Sequence, residues 1–304
     1  MGRRSATQRL GASALVLALL PVGATAVAVA LIGRGDGWDG RPRTSEVRRL
    51  GDAEQPGDGT LPAGPPPDSS RADTVWSPAP GTPWQWQLQG DIDVSLDVPV
   101  YDVDGFTTSQ ELVTALRSVG KRSICYLSVG AWEDWRPDAA RFPSEVLGAD
   151  NGWPGERWVD IRRIDVLAPV LRERIAMCRA KGFDAVEPDN IDGYANHSGF
   201  PLTPGDQLRF NRWLAAEVHR HGMSVALKND LEQVEALVDV FDFAINEQCF
   251  EFSECQRLMP FVRAGKAVLH VEYDVPAEGF CGLVPAGFSS MQKRLDLGVW
   301  RRGC

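Results

Sequence analysis

The chain has 304 residues and a hydrophobic fraction of 43%, enough for a sizeable core in one large or two small domains, which excludes disorder throughout. Its formal net charge is -9; residues 1–75 hold nine Arg, no Lys and eight Asp or Glu, a balance of +1, so the remainder carries -10. That remainder repels nucleic acid and suits a cationic or neutral ligand.

At the N-terminus, Arg3, Arg4 and Arg9 precede an uncharged Ala-, Val- and Leu-rich run from Leu10 to Gly33. This predicts export, with residues 1–33 acting either as a cleaved signal peptide or as a membrane anchor. Residues 34–75 are rich in Gly, Pro, Asp and Arg and include Gly64-Pro65-Pro66-Pro67, a composition that cannot offset its ordering entropy, so a disordered linker is expected. The folded domain is expected over 76–304.

Within that domain one unit recurs: an amphipathic helix ends at Gly, an apolar β-rich run follows, and the run closes in polar residues. Gly120 leads into Ser123–Ser128, Gly182 into Phe183–Asp189, Gly222 into Ser224–Asp230 and Gly265 into Val268–Asp274. Further strands are predicted at Trp84–Gln89, Val98–Val103, Phe241–Asn246 and Met291–Leu297. Thr108 with Glu111 is the expected capping box of one helix. Thr203-Pro204-Gly205-Asp206 opens another, with Pro at its first position. Leu167, Leu171, Ile175 and Cys178 form a core-facing helical stripe. Strands alternating with helices imply right-handed crossovers and a parallel sheet. Seven or eight such units in this length predict an α/β fold of the (β/α)8 type, and no GxGxxG or GxxxxGK[ST] loop points to nucleotide.

Six cysteines in an exported chain read as disulfides. Cys249 and Cys255 suit a small loop, Cys281 and Cys304 would pin the C-terminal tail, and Cys125 and Cys178 either pair or stay as buried thiols. There is no CxxC, and the four His lack zinc-site spacing, so no metal is expected.

In such a barrel the chemistry lies at the C-terminal strand ends. Those ends carry Asp102 and Asp104; Glu187, Asp189 and Asn190; Lys228 and Asn229; Glu247 and Gln248; and Glu272 and Asp274. Strand alternation puts Ala185, Glu187 and Asp189 on one face and Phe243, Ile245 and Glu247 on another. Cutting a glycosidic bond takes two carboxyl groups, and Asp189 with Glu247 are the expected pair. Asp192 and Asp206, near helix starts, are expected to cap. Trp132, Trp135, Tyr194 and Tyr273 are aromatic candidates for stacking on sugar rings, whereas Trp84 and Trp86 are assigned to the core.

The succession Trp84-Gln85-Trp86-Gln87-Leu88, Tyr101-Asp102-Val103-Asp104, Cys125-Tyr126-Leu127-Ser128-Val129-Gly130-Ala131-Trp132-Glu133, Glu187-Pro188-Asp189-Asn190, Leu227-Lys228-Asn229 and Asn246-Glu247-Gln248-Cys249 resembles glycoside hydrolase family 114, the endo-α-1,4-polygalactosaminidase family. The resemblance spans about residues 82–298. It implies a TIM-like barrel and an endo-acting, retaining hydrolase of α-1,4-linked, partly deacetylated galactosamine polymers that needs no cofactor. The two acids carry over to Asp189 as nucleophile and Glu247 as acid/base. Asp102, Asp104, Tyr126, Trp132, Glu187, Asn190, Lys228, Asn229, Gln248 and Glu272 follow as substrate-binding candidates. The expected partner is the cationic polysaccharide, the expected state a monomer, and the expected location extracellular or cell-surface. Two alternatives stand beside this reading. One is a chitinase-like, substrate-assisted hydrolase of another amino-sugar glycan, although Asn190 stands where that motif would need an acid. The other is a barrel that binds glycan without cutting it.

Overall fold

The computed structural model describes residues 75–304, so the predicted signal or anchor and nearly all of the linker lie outside the described residues. In chain order the elements are β1 (Trp84–Gln87), β2 (Val100–Asp104), α1 (Gln110–Ser118), β3 (Arg122–Ser128), β4 (Ala131–Glu133), β5 (Leu147–Asp150), β6 (Glu156–Val159), α2 (Ile164–Lys181), β7 (Ala185–Asp189), α3 (Pro204–Arg220), β8 (Ser224–Lys228), α4 (Val234–Leu237), β9 (Phe243–Glu247), α5 (Met259–Arg263), β10 (Val268–Glu272), α6 (Ala277–Phe280), β11 (Phe288–Lys293) and β12 (Arg301–Gly303). The main sheet runs β1-β2-β3-β7-β8-β9-β10-β11, every neighbour parallel, with β12 added antiparallel to β11. Bonds from Trp84 Nε1 to the Ser289 carbonyl (2.8 Å) and from Leu88 N to the Leu297 carbonyl (3.0 Å) bridge β1 to the β11 side. The fold is the expected (β/α)8 TIM-like barrel.

The local signals explain most of the elements. At Gly182 the backbone turns left-handed (φ +94°) just past α2, and Gly120, Gly222 and Gly265 end their helical segments with φ of +77°, +67° and +71°. Helix α3 starts with the full reciprocal cap, Thr203 accepting from Asp206 N and Asp206 accepting from Thr203 N. On α1 the cap is one residue later than predicted: Ser109 Oγ accepts from Leu112 N, while Thr108 is buried. Apolar residues split by strand parity. Trp84, Ile124, Ala185, Ala226 and Phe243 fill the barrel, and the alternate positions Val103, Cys125, Val186 and Val225 meet the stripes of α2 and α3. Leu171 and Leu214, fully buried in that layer, would each lose about 2–5 kcal/mol on truncation to Ala.

The structure departs from the regular repeat in three places. Residues 88–99 cross from β1 to β2 without a helix. The last barrel strand is Phe288–Lys293 and not Met291–Leu297. Between β3 and α2 lies a separate three-stranded antiparallel sheet, β4-β6-β5, which the helix-strand repeat does not predict. All six cysteines pair, as Cys125–Cys178, Cys249–Cys255 and Cys281–Cys304. Among the described residues no helix is long and apolar enough to cross a membrane.

Candidate active site

The site is built around Lys228, the last residue of β8, whose side chain is only 2% exposed. Its Nζ lies 3.0 Å from Glu187, 3.0 Å from Asp189 and 3.3 Å from Glu247, and 4.5 Å from the centre of the Trp86 ring. Burial disfavours the charge of this lysine, but Asp189, Glu187 and Glu247 outweigh it and hold the ammonium well above its ordinary range. One buried cation therefore gathers acids from β7 and β9.

Two tyrosines complete the orientation of the acids. Tyr126 Oη donates to Asp189 (2.9 Å), and Tyr273 Oη donates to Glu247. Asn229 Nδ2 also donates to Glu247 (3.2 Å), while Asn229 Oδ1 accepts from Glu247 N (3.0 Å). Backbone geometry sharpens the strand ends: Asn190, Asn229 and Gln248 each have φ between +51° and +62° directly after Asp189, Lys228 and Glu247. Such left-handed residues are uncommon outside Gly and turn the chain abruptly at the site. Gly130 is required for close approach, since a Cβ there would sit 1.7 Å from the Asn190 carbonyl oxygen. That contact lets Val129 N and Gly130 N both donate to the Asp189 carbonyl (3.2 Å each), fixing the end of β7.

Beneath the acids lies a layer out of contact with solvent. Asp102 and Glu187 are both fully buried. Burial, and then the charge of Glu187, raises the Asp102 carboxyl well above its ordinary value. Burial pushes Glu187 up to about 7 even though Lys228 opposes the shift.

Above them opens a cavity of about 330 Å³. Its floor is formed by Trp86, Tyr126, Asp189, Lys228, Glu247 and Tyr273. One wall comes from the β4–β6 sheet and its turns, with Glu133, Trp135, Arg136, Trp153 and Glu156, and another from Leu295–Leu297. Such a cleft, apolar rings around a few convergent acids, is what a sugar chain requires.

A model of glycoside-hydrolase family GH114 matches residues 66–304, the whole of this barrel. The chain belongs to family GH114. It is a glycoside hydrolase acting on O-glycosidic bonds. Ega3 of Aspergillus fumigatus, solved in complex with galactosamine, is 35% identical to it, with a TM-score of 0.72 over 75% of this chain and 97% of that chain. The glycoside hydrolase domain of PelA from Pseudomonas aeruginosa shares the fold at 17% identity and a TM-score of 0.55, over 74% of this chain and 98% of that chain. No curated protein matches the chain.

In this GH114 barrel several candidates sit elsewhere than expected. Glu272 is fully buried on the outer face of β10, because Val271 and Tyr273 take the inner positions. It accepts from Phe250 N (2.9 Å) and bonds His270 Nε2 (2.7 Å), holding the loop after β9, so it does not reach the cavity. Trp132 donates its indole N–H to the Ala139 carbonyl (3.0 Å) and packs on the core, leaving Trp135 and Trp153 as the cavity's rim aromatics. Trp86, assigned to the core, is buried there but also forms part of the floor. Asp102 and Glu187 act from below and do not line the cavity. Asp104, Tyr126, Asn190, Lys228 and Gln248 do line it, whereas Asn229 acts through Glu247. Asp192 makes no cap; it is buried behind β7 and accepts from Asn196 Nδ2 (3.3 Å). His270 lies beside Cys249 and Cys255, but the two sulfurs are bonded to each other and offer no thiolate to a metal.

Tyr273, expected as a stacking aromatic, instead orients Glu247 through its hydroxyl. Glu133, Arg136 and Glu156 are site residues that the strand-end rule does not select, because they belong to the sheet inserted between β3 and α2 and its turns.

Proposed function

We propose that the protein is an endo-acting hydrolase of α-1,4-linked, galactosamine-containing polysaccharide that retains anomeric configuration, with Asp189 as nucleophile and Glu247 as acid/base. Residues 1–33 serve export, as a cleaved signal or an anchor, 34–75 form the linker and 76–304 the catalytic domain. The domain works as a monomer, outside the cell or at its surface, in keeping with three disulfides.

One observation carries the reading: a carboxyl oxygen of each acid lies close to the same lysine nitrogen, at 3.0 and 3.3 Å. The two oxygens therefore lie no further apart than the sum of those distances, about 6.3 Å. That bound is compatible with the ~5–5.5 Å of a retaining pair. Asp189 is the better nucleophile, because Tyr126 Oη and Lys228 Nζ donate to it at 2.9 and 3.0 Å and orient both oxygens. In the first step a lone pair of Asp189 forms a bond to the anomeric carbon, the glycosidic C–O bond breaks, and the proton of Glu247 passes to the leaving oxygen. In the second, Glu247 takes a proton from water, the water oxygen bonds to the anomeric carbon, and Asp189 leaves as carboxylate. The substrate class rests on the 35% identity to Ega3, whose structure holds galactosamine, and on the acidic balance of the chain.

The wild type is expected to shorten α-1,4-galactosamine polymer, read as released oligosaccharide by mass spectrometry. Asp189→Asn and Glu247→Gln are each expected to lower kcat by about a thousandfold or more while leaving polymer binding intact. Binding by the wild type with no oligosaccharide released from any amino-sugar glycan would refute the enzymatic reading.

A further inference from the structure

The β4–β6 sheet supplies a cavity wall that the barrel repeat does not need, and that wall has an unbalanced charge. Arg136 pairs with Glu133 (2.7 Å) and Asp104 (2.7 Å), and Lys228 pairs with Asp189 and Glu247. Glu156 lines the same cavity directly across the strand pair from Glu133, a like-charge arrangement that is unfavourable by itself. Its side-chain partner is neutral, Asn151 Nδ2 at 2.7 Å, and among the described residues no Lys, Arg or His forms an ion pair with it. Burial, with the charges of Glu133 and Asp189 adding to it, pushes its carboxyl up to about 7. Two large rings stand beside it in water, Trp135 at 53% and Trp153 at 37% exposure. Trp135 is held in place by the turn at Gly155, where a Cβ would come within 2.9 Å of its ring.

An acid without a cation, next to exposed aromatic faces in a sugar cleft, fits one kind of ligand. The apolar face of a pyranose lies on indole, and a free amine on that ring brings the positive charge the wall lacks. An N-acetylated ring covers the same indole but is neutral, and it leaves Glu156 uncompensated.

We propose that Glu156, flanked by Trp135 and Trp153, is a specificity-determining residue that binds the ammonium group of a deacetylated amino-sugar unit. The inference rests on the reading of this cleft as an amino-sugar site and assigns one selective contact within it. Glu156 takes no part in bond cleavage.

The test is calorimetric titration of the full chain, in an Asp189→Asn background so that ligand is not consumed, with an α-1,4-galactosamine tetramer and with its N-acetylated counterpart at pH 7.5. The Glu156-containing protein is expected to bind the amine form about tenfold or more tightly, the scale of one charge-assisted contact. Glu156→Gln keeps an acceptor for Asn151 Nδ2 and is expected to erase that preference without weakening the N-acetylated ligand, and Glu156→Asp is expected to restore part of it. Equal weakening of both ligands by Glu156→Gln, or a preference that survives it, overturns the assignment. Selective binding alongside a wild type that cleaves neither polymer would leave this assignment standing and remove the hydrolytic reading, and failure to bind either tetramer would remove both.

Discussion

Lys228 is the residue on which the acids of the site converge, and its removal separates two effects that are otherwise hard to disentangle. Lys228→Met keeps the length of the side chain but leaves Glu187, Asp189 and Glu247 without their common cation. Breaking a buried pair in this way costs about 3–5 kcal/mol, so a loss of that size is expected in chemical denaturation together with loss of activity. Asp192 makes the opposite kind of prediction. Burial, and then the nearby charge of Asp189, raises its carboxyl from 3.8 to about 7 in the folded protein. The stabilising contribution of the protonated form is complete below the unfolded value and is lost as pH rises through about 7. Asp192→Asn does not titrate, so its Tm is expected to gain on the wild type between pH 5 and pH 8. A difference in Tm that stays constant across that range would contradict the shift.

At the scale of elements, the C-terminal strand β12 has a short register on β11 and is held at its end by Cys281–Cys304. Closing a loop of this separation contributes about 3 kcal/mol in the chain-entropy account, so Cys281→Ser with Cys304→Ser is expected to lower Tm by several degrees. Hydrogen exchange at Arg301–Gly303 should rise with it. The regular part of the barrel was legible because each unit repeats the same punctuation, a Gly stop and a strand of fixed parity. That parity brought Asp189 and Glu247 to one mouth from sequence alone. The same rule, applied to β10, puts Tyr273 on the inner face with Leu269 and Val271 and turns Glu272 outward, so the expectation for Glu272 rested on its being an acid and not on its parity. The β4–β6 sheet had no comparable signal. Its strands are three or four residues long and follow no period, and their position over the cavity depends on packing between segments distant in sequence.

Across the whole molecule, the net charge of -9 and a cleft lined by acids imply long-range attraction of a polycation. Salt screens such attraction over about 10 Å at 0.1 M. The KM for deacetylated polymer is therefore expected to rise severalfold as ionic strength increases several-fold from low salt, with kcat little changed, and the KM for an N-acetylated polymer should stay nearly flat. Equal salt dependence for both polymers would show that the charge serves solubility alone.

The central claim is that Asp189 and Glu247, drawn together on Lys228, act on a single glycosidic bond as nucleophile and acid/base. Time-resolved proton NMR of the first reducing ends released from an α-1,4-galactosamine oligomer tests it most directly. The α-anomer should appear first and only later mutarotate, and initial release of the β-anomer would contradict the proposed roles.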